Sequence, residues 1–277
     1  MSKLLSANFI RLRKSKEFWL CAVSTLLISA AMIYSGSEWA QTAAARGFIK
    51  PLDDYYFQLA PYIGAVMAIF ISLFLGTEYS DGAIRNKLIV GHTRTDIYLA
   101  NFWICLISGI VITAMWFIGG LPGLYLIGSF TMGISGVITY LFVAIGITAA
   151  FSAIFVWISM VSRNKAVTVV FVLVLWVAMI LAASGINDRL HEPEYNGGMA
   201  MINGEFVMME DTPNPLFLAG GVRMAFEWLY RILPTGQAIA MTSAEITTPL
   251  LDIAASVIFT IVITMLGILT YRRKDLK

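Results

Sequence analysis

Six apolar runs divide this 277-residue chain, at residues 18–34, 59–75, 97–118, 134–160, 167–183 and 250–271. A hydrocarbon core of roughly 30 Å takes about 20 apolar residues in a helix, so each run approaches or exceeds spanning length. Lipid offers no hydrogen bonds to a backbone, which leaves helices as the structure for separate runs of this kind. The expectation is an all-α integral membrane protein with six transmembrane helices. The charges between the runs give it a direction. Fourteen of the 19 basic residues fall in four segments: Lys3, Arg11, Arg13, Lys14 and Lys16; Arg85, Lys87 and Arg94; Arg163 and Lys165; and Arg272, Arg273, Lys274 and Lys277. The alternate segments hold Arg46, Lys50, Arg189, Arg223 and Arg231. The positive-inside rule produces this alternation, and it places both termini in the cytoplasm.

Composition agrees. The chain is 58% hydrophobic and 13% charged, where a soluble domain carries about 25% charged residues. A net charge of +2 gives no reason to expect a nucleic-acid partner. The basic segments read instead as anchors on the lipid bilayer at its inner leaflet. Cys21 and Cys105 both lie in apolar runs and indicate no disulfide framework. The first run is long enough to span, and residues 34–38 lack a cleavage pattern, so the N-terminus does not read as a removable signal.

Several kinds of chemistry are missing. No Asp, Glu, Lys or Arg falls at the middle of a run, where proton-coupled carriers keep an ionisable group. No internal repeat is visible. There is no G-x-x-x-x-G-K-[ST] and no Gly-Lys dipeptide, hence no Walker A cradle for a nucleotide. His92 and His191 fall on opposite sides of the membrane and have no trusted metal-ligand spacing, so no metal or cofactor site is expected. Ser29, Ser108, Ser135 and Ser152 lie in runs without His or Asp and read as small helix-packing residues.

Residues 1–277 form one domain with three notable segments. Residues 1–16 alternate apolar and basic positions, with Leu5, Phe9 and Leu12 on one stripe, as in a helix lying in the interface. Residues 76–96 contain a short helix: Asp81 suits its N-cap, residues 83–90 its two turns, and Gly91 its C′ position. Thr93 and Asp96 make a capping-box-like start for the third run. Ile84, Leu88 and Ile89 give the short helix an apolar side, and Arg85, Asn86 and Lys87 a polar one. A mere connector needs no such two-faced helix, so we read it as a docking element. Residues 187–249 begin as an irregular outer excursion, followed from 216 to 233 by an amphipathic helix with Arg223, Glu227 and Arg231 as its polar row. Pro234 breaks that helix before a second, re-entrant or interfacial piece.

The stretch Glu78-Tyr-Ser-Asp-Gly-Ala-Ile-Arg-Asn-Lys-Leu-Ile-Val-Gly-His-Thr-Arg94 resembles the E-Y-x-x-G-T-I-R-N-K-L-x-x-G-x-x-R segment of ABC-2-type transporter permeases, with Ala83 in place of Thr. The closing Tyr271-Arg-Arg-Lys-Asp-Leu-Lys277 is similar to that family's F-x-R-[KR]-D-[IL]-K ending. The resemblance implies the membrane permease subunit of an ATP-binding cassette exporter in a bacterial plasma membrane. A separate cytoplasmic ATPase would bind ATP and Mg, and a second permease subunit would complete a homo- or heterodimer. Carried over residue by residue, it implies ATPase coupling by Glu78, Asp81, Ile84, Arg85, Asn86, Lys87, Leu88 and Arg94. Glu78 sits at the membrane edge, with a pairing to Arg85 as the plainer alternative. Spans two and five commonly line the path in that family, which points to Phe70, Phe74, Trp176 and Met179 and to a hydrophobic or amphipathic cargo, whether peptide, antibiotic or lipid-like. Ser162–Ala166 would add a lesser ATPase contact. The second reading is a non-transport scaffold or sensor subunit that binds a ligand through its outer segment.

Overall fold

The computed structural model describes residues 1–162, 164–202 and 205–274, with the side chains of Ser80 and of 198–210 excepted. Arg163 of the second inner loop, Asn203 and Gly204, and Asp275, Leu276 and Lys277 of the closing motif lie outside the described residues.

Helix α1 (Ser2–Lys14) ends at Ser15, whose hydroxyl accepts from Phe18 N–H at 3.0 Å and so starts α2 (Lys16–Ala45), the first span. A short α3 (Asp53–Tyr56) and a 3₁₀ turn holding Pro61 lead into α4 (Ile63–Ser80), the second span. The small α5 (Ala83–Ile89) precedes α6 (Arg94–Gly120), the third span, which is extended by α7 (Gly123–Leu126). The fourth and fifth spans are α8 (Gly133–Val161) and α9 (Lys165–Leu190); the Asn164 side chain caps the latter by accepting from Ala166 and Val167 N–H. Strands β1 (Tyr195–Ile202) and β2 (Glu205–Pro213), then α10 (Gly220–Ile232) and α11 (Pro234–Thr242), separate them from α12 (Pro249–Arg273), the sixth span. Among the described residues six helical segments are long and apolar enough to cross a membrane, and each contains one of the apolar runs.

The fourth span is the hub, packing on the second, third and sixth, while the first packs on the third and the fifth on the second. Ser29 donates to Trp116 C=O at 2.8 Å across the first and third spans, and Thr113 and Thr148 hydroxyls meet at 2.8 Å across the third and fourth. Small polar residues do this work because lipid removes the hydrophobic drive between helices. Ser135, also expected to pack, is exposed near the start of α8. Burial is uneven: 67% of the residues in the apolar windows of the second and fourth spans are buried, against 17% in the fifth and sixth. The latter two therefore present their sides to lipid or to another protein.

The segment between the fifth and sixth spans departs from expectation in two ways. Where an irregular excursion is expected, β1 and β2 pair antiparallel from Tyr195↔Pro213 to Ile202↔Glu205, with an irregularity between Asn196 and Gly198. Helix α10 shows the expected amphipathic pattern, yet none of its residues is buried; Val222, Leu229 and Ile232 are exposed. Its polar row is divided, with Arg223 Nε 3.1 Å from Glu227 and Arg231 Nε 3.1 Å from Asp252 of the sixth span. The buried outer element is α11. Gln237 Nε2 donates to Arg231 C=O at 2.7 Å and to Asp252 C=O at 3.0 Å, while its Oε1 accepts from Ser256 at 2.9 Å. Thr235 donates to Met179 C=O at 2.9 Å. These bonds pin α11 between the fifth and sixth spans.

Candidate functional site

The end of the bundle that carries the chain termini holds a buried ionic cluster centred on Glu78. Its side chain is fully buried near the C-terminal end of α4. Lys87 Nζ of α5 lies 2.5 Å from Glu78 Oε1, and Arg11 of α1 pairs with the same oxygen. Asn101 Nδ2 of α6 donates to the other oxygen, Oε2, at 2.8 Å. Asn8 closes the circuit by donating to Asn101 Oδ1 at 2.8 Å and accepting from Lys87 Nζ at 3.0 Å. Four separate helices are thereby tied to one carboxylate. Such a cluster tolerates burial because each charge has partners; removing one partner from a buried pair typically costs about 3–5 kcal/mol.

The cluster explains the burial of α1. Leu4, Asn8 and Leu12 form its buried stripe, whereas the Leu5, Phe9 and Leu12 stripe was expected. Phe9 is exposed, and Asn8 takes an inward position because Asn101 and Lys87 satisfy its amide. Arg11 reinforces the seat: its guanidinium carbon lies 3.8 Å from the Phe74 ring centroid, and Nη2 donates to Phe74 C=O at 3.2 Å.

The short helix has the expected end but a different beginning. Gly91 N–H bonds Leu88 C=O at 3.0 Å and His92 N–H bonds Lys87 C=O at 3.2 Å, the paired bonds of a Schellman motif, with Gly91 at φ +96°. Thr93 then caps α6, accepting from Asp96 N–H at 3.1 Å and donating to its carboxylate at 2.7 Å. Asp81 is not the N-cap. Its N–H still bonds Thr77 C=O of α4, and Gly82, left-handed at φ +67°, turns the chain so that α5 starts at Ala83.

That turn decides which face of α5 points outward. Ile84 is buried, at 3% exposure, and Leu88 packs partly buried against the core. Both were read as the apolar knob of a docking surface, but the bundle already covers them. The outward face holds Asp81, Arg85, Asn86, Ile89 and Val90. Ile89 and Val90 are each 76% exposed and supply the apolar component. Glu78 pairs with Arg11 and Lys87, so the plainer Arg85 pairing is absent. Arg85 is exposed instead.

Arg94 has another task. Its Nη1 donates to the carbonyls of Tyr271 at 3.3 Å, Arg272 at 3.0 Å and Lys274, capping the C-terminus of the sixth span. Cations suit that position because the last carbonyls of a helix lack intrahelical donors. Lys274 reciprocates. Its Nζ donates to Tyr79 Oη at 3.2 Å and to the carbonyls of Met160 and Ser162, each at 3.1 Å, and lies 4.3 Å from the Tyr79 ring centroid. The two motifs, distant in sequence, are thus locked together. Asn8, Arg11, Tyr79, Asn101 and Lys274 are site residues beyond those the sequence predicts; Tyr79 and Lys274 stand in the two quoted motifs, and the others are charged or amide residues near the edge of a run.

The expected path residues divide. Phe70 and Phe74 are buried and stacked at 5.4 Å, with Phe18 edge-on to Phe70 at 5.9 Å, so they belong to this chain's own core. Trp176 and Met179 are half-buried on the fifth span; Trp176 Nε1 donates to Pro61 C=O at 3.1 Å.

Six apolar helices long enough to cross a membrane, with a short capped helix between the second and third held to them by a buried ion cluster, define a multi-pass membrane protein. A family profile described as ABC-2 family transporter protein matches residues 4–179, and the chain belongs to that family. It is the permease component of an ABC transporter, a multi-pass membrane protein whose partner class is an ABC ATPase. Among curated proteins no match to the chain is found.

Proposed function

We propose that this permease couples ATP hydrolysis by a separate cytoplasmic ATPase to export of a hydrophobic or amphipathic substrate. In this reading two permease subunits work with two ATPase subunits, and ATP and Mg are bound by the ATPases. Differential affinity of ATP for the two arrangements of the assembly drives the bundles between inward- and outward-open states. The observation that carries the proposal is the attachment of α5 to the bundle. Lys87, Glu78, Arg11 and Asn101 bind α5 to the ends of the second and third spans and to α1. A displacement of α5 by a partner then moves those helices with it, because separating them would strand buried charge.

The ATPase is taken up on the outward face of α5, through Arg85, Asn86, Ile89 and Val90. An apolar centre with a polar rim is the usual make-up of such contacts, and Arg is enriched among the residues that carry their binding energy. A second permease subunit covers the fifth span beyond Phe171, where Val174, Val177 and Leu181 are exposed along one side. Trp176 and Met179 would then stand near the border between the two subunits. Copurification of the ATPase with Ile89→Asp, together with ATP hydrolysis by the reconstituted complex, tests the reading. Loss of complex from a variant that inserts and melts like the parent supports it. Unchanged assembly and unchanged hydrolysis rule α5 out as the docking element.

A further inference from the structure

We propose that the cleft between the fourth, fifth and sixth spans, at the end bearing the chain termini, binds one acyl chain of an anionic phospholipid whose headgroup rests on Arg272 and Arg273. The fourth and fifth spans are joined by a short turn, so they start side by side, yet they share few contacts along their length. They splay around a cleft of about 560 Å³, inside the ~300–1,000 Å³ range of small-molecule sites.

Its walls are Trp157, Ile158 and Val161 on one side and Val167, Phe171 and Leu175 on the other, with exposed Thr270 of the sixth span beside them. The polar atoms of the lining turn away from the cavity. Trp157 Nε1 donates to Thr270 Oγ1 at 2.9 Å, Thr168 Oγ1 to Asn164 C=O at 2.7 Å, and Ser162 Oγ to the same carbonyl at 3.4 Å. A cavity whose polar groups are internally satisfied recognises hydrocarbon and offers nothing to a polar solute. Val161, Val167 and Phe171 are exposed along the outside, so the cleft opens sideways to the bilayer.

The occupant's headgroup follows from the charges at the mouth. Arg273 stands three residues beyond Thr270 and shares its face of α12, with Arg272 beside it. Arg272 and Arg273 are exposed, and neither has a carboxylate partner among the described residues. Cations at headgroup level beside an apolar slot match the two ends of an anionic phospholipid, and each cation near such a surface favours the anionic headgroup about fivefold.

The test uses the full chain in vesicles of phosphatidylcholine into which either brominated phosphatidylglycerol or brominated phosphatidylcholine is mixed at equal mole fraction. Bromine on the acyl chain quenches tryptophan at contact. The Trp157 signal is the difference between the parent protein and Trp157→Phe. Phosphatidylglycerol is expected to associate with that site about fivefold or more above phosphatidylcholine. The variant Arg272→Gln/Arg273→Gln is expected to bring the two lipids level, and Val161→Phe, which narrows the slot, to lower quenching by both. Equal quenching by the two lipids in the parent protein makes the cleft ordinary lipid-facing surface and overturns the proposal. Quenching that vanishes as the protein-to-lipid ratio rises makes a second copy of the chain the occupant, and overturns it equally.

Discussion

Lys87 Nζ lies 2.5 Å from Glu78 Oε1, joining the short helix between the second and third spans to the fully buried carboxylate that precedes it. Arg11 and Asn101 hold the same carboxylate from two other helices. One side chain thus sets the position of α5 relative to the bundle.

Substitutions around that carboxylate should rank by the charge they strand. Glu78→Ala leaves two cations facing one another and is expected to cost about 3–5 kcal/mol. Lys87→Met leaves Arg11 in place and should cost distinctly less. Thermal unfolding of the purified protein in one detergent gives the order, and equal losses from the two variants would contradict the shared-anion description.

The two isoleucines of α5 should behave oppositely. Ile84 is buried, so Ile84→Ala should destabilise the chain by about 2–5 kcal/mol. Ile89 is exposed, so Ile89→Ala should change stability by no more than about 0.5 kcal/mol while weakening ATPase binding. Unfolding and pull-down, measured on the same samples, separate these effects. Weakened binding from Ile84→Ala without loss of stability would restore the inner face of α5 as the docking side.

Gly91 closes α5 at φ +96°, a conformation that costs a side-chain-bearing residue roughly 1–2 kcal/mol. Nothing lies within 4 Å of a Cβ built there, so the cost of Gly91→Ala is conformational and not steric. Stability should fall by about that amount, and coupling should weaken as the Schellman bonds to Lys87 and Leu88 loosen. Unfolding and nucleotide hydrolysis are the measurements, and an unchanged melting point would argue against this turn.

Topology is accessible to labelling because Cys21 and Cys105 are both buried. With the termini in the cytoplasm, cysteine at Ser2 should resist an impermeant thiol reagent in intact cells, and cysteine at exposed Thr212 should react. Labelling at Ser2 and protection at Thr212 would invert the orientation.

Local and one-dimensional signals carried much of this protein. Apolar run length located all six spans, since hydrocarbon thickness sets how many residues a helix needs. Thr93 with Asp96 and the glycine at 91 marked their helix ends, because capping acts within a few residues of chain. The hairpin at 195–213 was missed, because a stretch rich in acids, Gly, Pro and Asn reads as irregular chain. Tertiary structure alone decided the rest. Whether Ile84 or Ile89 faces outward depends on the turn at Gly82, and a rotation of half a turn exchanges the faces of so short a helix. Glu78 chose Arg11 and Lys87 over Arg85 because the burial of α1 brought Arg11 across a separation of 67 residues, a pairing with no sequence period. Asn8 and Asn101 became a buried pair for the same reason: an amide enters a membrane bundle only where a partner on another helix already waits.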